Sequence, residues 1–285
     1  LKEDVFNLSG YVGKKIYGII GYYFFNSFVV KVSYSNKRVS FISPLAKTRK
    51  KGIEIPLTIE NKKPYIHVEM ITPQQKKITA KMIVDCGASH AVFVEALDGK
   101  AFPLPDSTII ANLGVGLSGP IRGHVGRIPQ LTIGKYNFKD IIASFPAYEA
   151  VAGQIGYNTR NGNLGAEFLR RFDTIYDYQN SFMYLKPNQS YWQNFDHDMS
   201  GIEIYTDPND SNLWIVGRVE PGSPADKIGI KEHDQLISIN FKSIEYYTPE
   251  QVTNLLKSEN GKTVIVEVFR NNKYIVKLLR LKRRI

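Results

Sequence analysis

A chain of 285 residues with 43% hydrophobic and 22% charged residues is long enough to bury two cores and has the balance of an ordinary globular protein. Its net charge of +10 comes from scattered Lys and Arg, denser only at Lys47–Lys51 and Lys282–Arg284, and no nucleic-acid motif accompanies them, which argues against a nucleic-acid partner. The single cysteine excludes an internal disulfide and a cysteine-built metal site, and the histidines at 67, 90, 124, 197 and 233 lack metal-ligand spacing. The apolar run from Ile16 to Val30 is interrupted by Gly18, Gly21, Asn26 and Ser27, so no segment reads as a membrane span. Leu1 is not an initiator Met and no secretory signal is visible, so the natural N-terminus is expected upstream.

The first elements are half of a repeat. A glycine-led segment, Gly18 to Phe25, precedes a strand from Phe28 to Tyr34, a Ser35-Asn36 turn and a second strand from Val39 to Phe41. The same order returns 144 positions later, with Gly18/Gly162, Gly21/Gly165, Phe24/Phe168, Phe28/Phe172, Tyr34/Tyr178 and Asn36/Asn180 in register. The apolar pairs Ile20/Leu164 and Phe25/Leu169 lie beside these identities, and together they read as a duplicated unit.

After Pro44 the basic stretch to Lys51 reads as a linker. Ile53, Ile55, Leu57 and Ile59 then alternate on one strand face, and Lys62-Lys63-Pro64 turns the chain into Tyr65–Met70. Thr72-Pro73-Gln74 turns it again toward Met82–Val84, a buried strand that delivers Asp85. Gly87 permits a tight turn there, which either aims the Asp85 carboxylate out of the sheet as an acid or base, or leaves it capping its own backbone. Cys86 and His90 lie four apart across that turn with no third group to orient the imidazole, which disfavours a thiol nucleophile. Asp98-Gly99 and Asp106-Ser107 read as turns. The run from Gly114 to Gly126 formally contains G-x-G-x-x-G, but Pro120 and the further glycines predict strand and turn where a dinucleotide site needs a helix.

Asp85-Cys86-Gly87-Ala88-Ser89 resembles the Asp-Thr/Ser-Gly-Ala motif of retropepsin-like aspartic peptidases, with Cys86 at the hydroxyl position. Asn163-Leu164-Gly165-Ala166-Glu167-Phe168-Leu169 resembles the family's second signature, with Asn163 where an apolar residue is usual. The resemblance implies a mainly β fold. Residues 46–190 would form an acid-protease β-barrel lobe, and residues 1–45 the C-terminal part of a truncated first lobe. It further implies an aspartic endopeptidase in which Asp85 is half of a water-activating dyad and Cys86, Gly87, Ala88 and Ser89 form the active-site loop. Gly114, Gly116, Leu117, Ser118 and Gly119 would form a flap over bound peptide. The second Asp would come from the first lobe of the full-length chain or from a homodimer mate, leaving this chain inactive alone. No cofactor is implied. The alternative is an inactive peptide-binding scaffold with the peptidase fold.

Beyond Pro187 the pattern changes. Short strands at Gly201–Ile204 and Leu213–Val219 lead to Pro221-Gly222-Ser223-Pro224-Ala225, a turn with a Ser N-cap and Pro in the first helical turn. Asp234–Asn240 reads as strand and turn, Thr248-Pro249-Glu250 caps a helix through Leu256, and Val264–Phe269 with Tyr274–Leu281 form a closing hairpin. Residues 191–285 resemble a bacterial PDZ domain of α+β type, with His233 where such domains usually carry Gly. That resemblance implies a groove for extended or C-terminal peptides. Ser200, Gly201, Ile202 and Glu203 would be its carboxylate-binding loop, and Val252 and Leu255 its helical wall. Peptide or protein substrates follow as partners, and the family resemblance points to an extracytoplasmic setting such as the periplasm or cell envelope.

Overall fold

A computed structural model describes residues 9, 15–47, 49–116, 119–147, 160–206, 210 and 212–285, with side chains at 115–120 left aside. The chain separates into two compact units, one spanning Ile20–Phe195 and the other containing Asp196–Arg284. Both are dominated by strands.

The repeat is visible as geometry. Two short helices, Tyr22–Ser27 and Ala166–Leu169, start after Gly21 and Gly165, whose carbonyls accept from Phe24 and Phe25 and from Phe168 and Leu169 respectively. Each helix leads into a hairpin, Val29–Ser33 with Arg38–Ile42 and Phe172–Asp177 with Phe182–Pro187. The turns match as well: Lys37 N–H donates to Tyr34 O and Ser181 N–H to Tyr178 O, with Lys37 and Ser181 at φ of 50° and 59°. The hairpins then pair antiparallel through Val30↔Tyr176, Lys31↔Ile175 and Val32↔Thr174. Lys31 and Ile175 occupy equivalent positions of the repeat and face each other, so a local twofold relates the copies. Ile53–Pro56 adds to the outer edge of Phe182–Pro187 and completes a five-stranded sheet.

The other sheet of this unit closes on itself. Its order runs Thr108–Gly116, Gly119–Ile133, Tyr136–Pro146, Val92–Val94, Gly162–Leu164, Lys77–Val84, Lys63–Ile71 and Thr58–Glu60. Gly119–Ile133 also pairs with Lys63–Ile71 through Leu131↔Met70, which joins six strands into a barrel. Alternate residues of each strand point inward, and Ile66, Val68, Met70, Met82, Ile128 and Leu131 fill the interior with at most 1% exposure. Burying each such side chain stabilises by about 1.5–3 kcal/mol.

Several expectations change here. The single alternating strand expected from Ile53 to Ile59 is two strands in different sheets, because Leu57 breaks it and donates its N–H to Ser181 O. The basic segment expected to be a linker is tied down at Lys50, whose Nζ pairs with the Asp177 carboxylate; the Asp177 pKa is lowered even though burial opposes ionisation. Asn180 and Lys50 supply the donors that outweigh that burial. The glycine-dense run is a hairpin, as its composition predicts, with Val115↔Pro120 and Gly116↔Gly119 paired; Leu117 and Ser118 fall outside the described residues. A further buried pair was silent in sequence: Arg160 Nε and Nη2 donate to the two Glu95 oxygens at 2.5 and 2.8 Å.

The C-terminal unit is a sheet ordered Ile202–Thr206, Trp214–Val219, Gln235–Ile239, Thr263–Arg270, Lys273–Arg280, with helices Pro224–Lys227 and Pro249–Leu256. Ser223 caps the first helix by accepting Asp226 N–H. Thr248 and Gln251 cap the second reciprocally, a capping box. Trp214, Val216, Leu236, Leu256, Val266 and Val268 build the core. Asp234, fully buried, accepts Arg270 Nε and Nη2 at 2.5 and 2.6 Å and Lys231 N–H at 2.9 Å. His233 takes φ of 68°, so the turn expected to need Gly keeps its left-handed shape with a bulkier residue.

Candidate functional site: the Asp85 loop and the peptide groove

The Asp85 loop is held by the repeat's second copy. Gly162–Leu164 lies parallel to Lys77–Val84 and antiparallel to Val92–Val94, and Asp85 N–H donates to Leu164 O at 2.9 Å. Gly165 N–H donates to Ala91 O, and Ala166 N–H to Ala88 O at 2.6 Å. A Cβ on Gly165 would collide with His90 O, so only glycine lets the backbones approach this closely. His90 bonds through Nε2 to Asn163 Oδ1, which accounts for Asn163 at a position expected to be apolar. Burial of that imidazole lowers its pKa and favours the neutral form, for which Nε2–H is the donor.

Within the loop, Asp85 Oδ1 accepts Gly87 N–H at 2.9 Å, the local turn cap that was the plainer expectation. Ala88 N–H reaches Asp85 O at 3.4 Å, and Ser89 is exposed. Cys86 is also exposed by area, yet the protein packed around its sulfur, followed by the Asp85 charge, raises the thiol pKa. A raised thiol pKa and an imidazole engaged by Asn163 disfavour Cys86 and His90 as a nucleophile–base pair. The Asp85 charge acts on Cys86, His90 and Tyr178, a thiol, an imidazole and a phenol. Tyr34 and Tyr178, equivalent positions of the repeat, both sense Cys86 and are raised mainly by burial.

The C-terminal groove is built from a strand edge and a helix. Ile202–Thr206 is the end strand of its sheet, bonded on one side to Trp214–Val219. Ile202 and Ile204 share an apolar cluster with Val252 and Leu255 of the Pro249–Leu256 helix. Glu203 turns to the other face, where its Oε1 accepts Arg218 Nη1 at 2.8 Å.

The loop before that strand contains a residue the sequence reading missed. Asp198 Oδ1 accepts Ser200 N–H at 3.0 Å, Gly201 N–H at 2.6 Å and Ser200 Oγ–H at 2.8 Å. Ser200 Oγ in turn accepts Ile202 N–H at 3.1 Å. Gly201 sits at φ +80°, and a Cβ there would strike the Ser223 side chain. The loop is pinned from outside by Ala225 N–H to Ser200 O, Glu220 N–H to Gly201 O and Met199 N–H to Leu256 O. Arg284 Nη2 donates to Asp198 O at 3.2 Å. Asp198 keeps partial exposure as a residue, but its carboxylate is enclosed, and that enclosure raises its pKa against the opposing pull of its donors. The signal was the Asp two residues before Ser-Gly, the spacing of an Asx turn.

Residues 215–270 match the PDZ-domain family model, and the C-terminal unit contains a PDZ domain. The carboxy-terminal processing protease CtpA of Bacillus subtilis (strain 168) is 26% identical over 125 residues, which are 44% of this chain and 27% of that protein. The chain therefore spans about a quarter of that relative's length. Among solved structures, the photosystem II D1 C-terminal processing protease aligns over 34% of this chain and 26% of its own at 21% identity and a TM-score of 0.28. The HtrA-type protease AlgWS227A with decapeptide aligns over 82% and 60% at 12% identity and 0.32. Scores this low do not establish a shared fold.

These findings correct the aspartic reading. The curated relative is a carboxy-terminal processing protease, and the carboxylate dyad that the aspartyl and retropepsin-like assignment required is not supported. Within the chain, Asp85 Oδ1 caps its own turn by accepting Gly87 N–H. The aspartic-dyad expectation, with Asp85 as one half and its partner Asp from another lobe or chain, is withdrawn on that comparison. Among the described residues no helix is long and apolar enough to cross a membrane, and no cluster of metal-ligating side chains is present.

Proposed function

We propose that this chain is a substrate-recognition part of a larger, extracytoplasmic protease-class protein, in which the PDZ domain binds extended peptide or protein segments. One observation carries the reading: Ile202–Thr206 is the end strand of its sheet and runs beside an apolar wall containing Val252 and Leu255. A strand edge offers a row of N–H and C=O groups that an extended segment can complete, while the wall selects its side chains. The protease character of the relative adds the class of system served. Peptide-bond hydrolysis belongs, in this reading, to the larger protein, and the Asp85 loop has a structural part.

Fluorescence polarisation of a labelled random decapeptide pool against the 285-residue chain tests the proposal. Selected sequences bind the native chain, and Leu255→Glu weakens them at least about tenfold by placing a charge on the apolar wall, with the melting curve retained. Binding unaffected by Leu255→Glu places the peptide elsewhere and contradicts the groove.

A further inference from the structure

The expected carboxylate-binding loop does not have its donors to spare. A peptide C-terminus is captured when successive backbone N–H groups converge on its two oxygens. Here the converging N–H groups belong to Ser200, Gly201 and Ile202, and every one is engaged inside the protein. Two bond to Asp198 Oδ1 and the third to Ser200 Oγ, which itself bonds to the same Asp198 oxygen.

The arrangement is not a loosely closed loop awaiting a ligand. Ser200 and Met199 are buried, and the backbone of 199–201 is fixed to Leu256, Ala225 and Glu220 from three directions. The closing segment adds a fourth: Lys282 N–H donates to Met199 O, and Arg284 N–H donates to His197 Nε2 at 3.1 Å. Arg284 also pairs with Glu220 at 2.6 Å, so that guanidinium is engaged beside the loop. A ligand carboxylate entering this loop has to displace Asp198 from its hydrogen bonds and leave that carboxyl enclosed without donors. Unpairing an enclosed carboxylate costs more than the bonds an incoming carboxylate gains in exchange.

We infer that Asp198 is a specificity-determining residue: its carboxylate occupies the Ser200 and Gly201 N–H groups directly and holds the Ser200 hydroxyl that occupies Ile202 N–H, so the groove takes internal extended segments and gives no preference to free C-termini. The inference rests on the groove reading above and narrows its ligand class. Affinity then comes from backbone pairing along Ile202–Thr206 and from an apolar side chain placed against Ile204, Val252 and Leu255.

The test uses one random decapeptide pool made twice, with free C-terminal carboxylates and with amides, both selected on the whole 285-residue chain and re-measured by fluorescence polarisation. Acid and amide forms of each selected sequence bind the native chain within about twofold of each other. Asp198→Ala empties the nest and brings a preference for the acid of about tenfold or more, whereas Asp198→Asn keeps an acceptor oxygen in place and preserves indifference. A tenfold preference for the acid in the native chain overturns the inference while leaving the groove reading intact, and it can be measured whether or not the alanine variant folds. Indifference in a folded Asp198→Ala chain also overturns it. Absence of binding by either pool overturns the groove reading and the inference together.

Discussion

Two aspartates sit at loop positions in the two units, and they differ in what surrounds them. Asp85 follows the inner strand Lys77–Val84 and lies in a motif that stands out in sequence; its Oδ1 accepts one N–H, from Gly87. Asp198 follows no motif, yet its Oδ1 gathers two N–H groups and a hydroxyl, and the loop it orders leads into the strand edge of the PDZ domain. A short motif reports a local turn. What an aspartate does is decided by the donors and charges the fold brings to it, and that information is spread along the chain.

The largest expected effects break the two loops through their glycines. Gly165→Ala forces a Cβ into His90 O, and Gly201→Ala meets Ser223 at a positive φ; each destabilises its own unit by about 3–4 kcal/mol, read by chemical denaturation. Removing the carboxylates sharpens the contrast. Asp198→Ala leaves three donors to be resatisfied and costs about 2–3 kcal/mol, whereas Asp85→Ala loses one turn bond and costs about 1 kcal/mol. Equal costs in the same denaturation series would erase the distinction.

The pH responses run in opposite directions. His90 is held below its ordinary value of 6.5 by burial, so the unfolded chain takes up a proton first and the N-terminal unit loses stability as pH falls through about 6.5 toward the folded value. Asp198 is held above its ordinary value of 3.8 by enclosure, so its contribution is fully present below about 3.8 and is lost as pH rises through the folded value. Melting of the native chain, His90→Asn and Asp198→Asn across pH 4–8 separates the two slopes, each variant flattening its own unit's response. The smallest effect concerns His233. His233→Gly relieves a side chain at φ 68° and stabilises the PDZ domain by about 0.5–1 kcal/mol, measurable by thermal melting.

Local signals were legible and long-range ones were not. Residue identities at a constant offset exposed the repeat, and the matched hairpins pair about their own twofold at Lys31 and Ile175. Ser223 and Thr248 announced helix starts that the structure contains. The barrel closure between Gly119–Ile133 and Lys63–Ile71 depends on strands some 60 residues apart, and nothing in either strand's own pattern encodes that pairing. Leu57 looked like the middle of one strand because alternation continues through a break that only the two sheets' positions create. Asp198 was not legible because the PDZ resemblance rests on Ser200 and Gly201, while the group that fills their N–H nest lies just before them.

Amide hydrogen exchange in the presence of a saturating selected decapeptide tests the central claim most directly. The account predicts new protection along residues 202–206, the strand edge completed by the peptide, with exchange at 85–90 unchanged. Protection appearing at 85–90 while 202–206 exchange as in the free chain would contradict it.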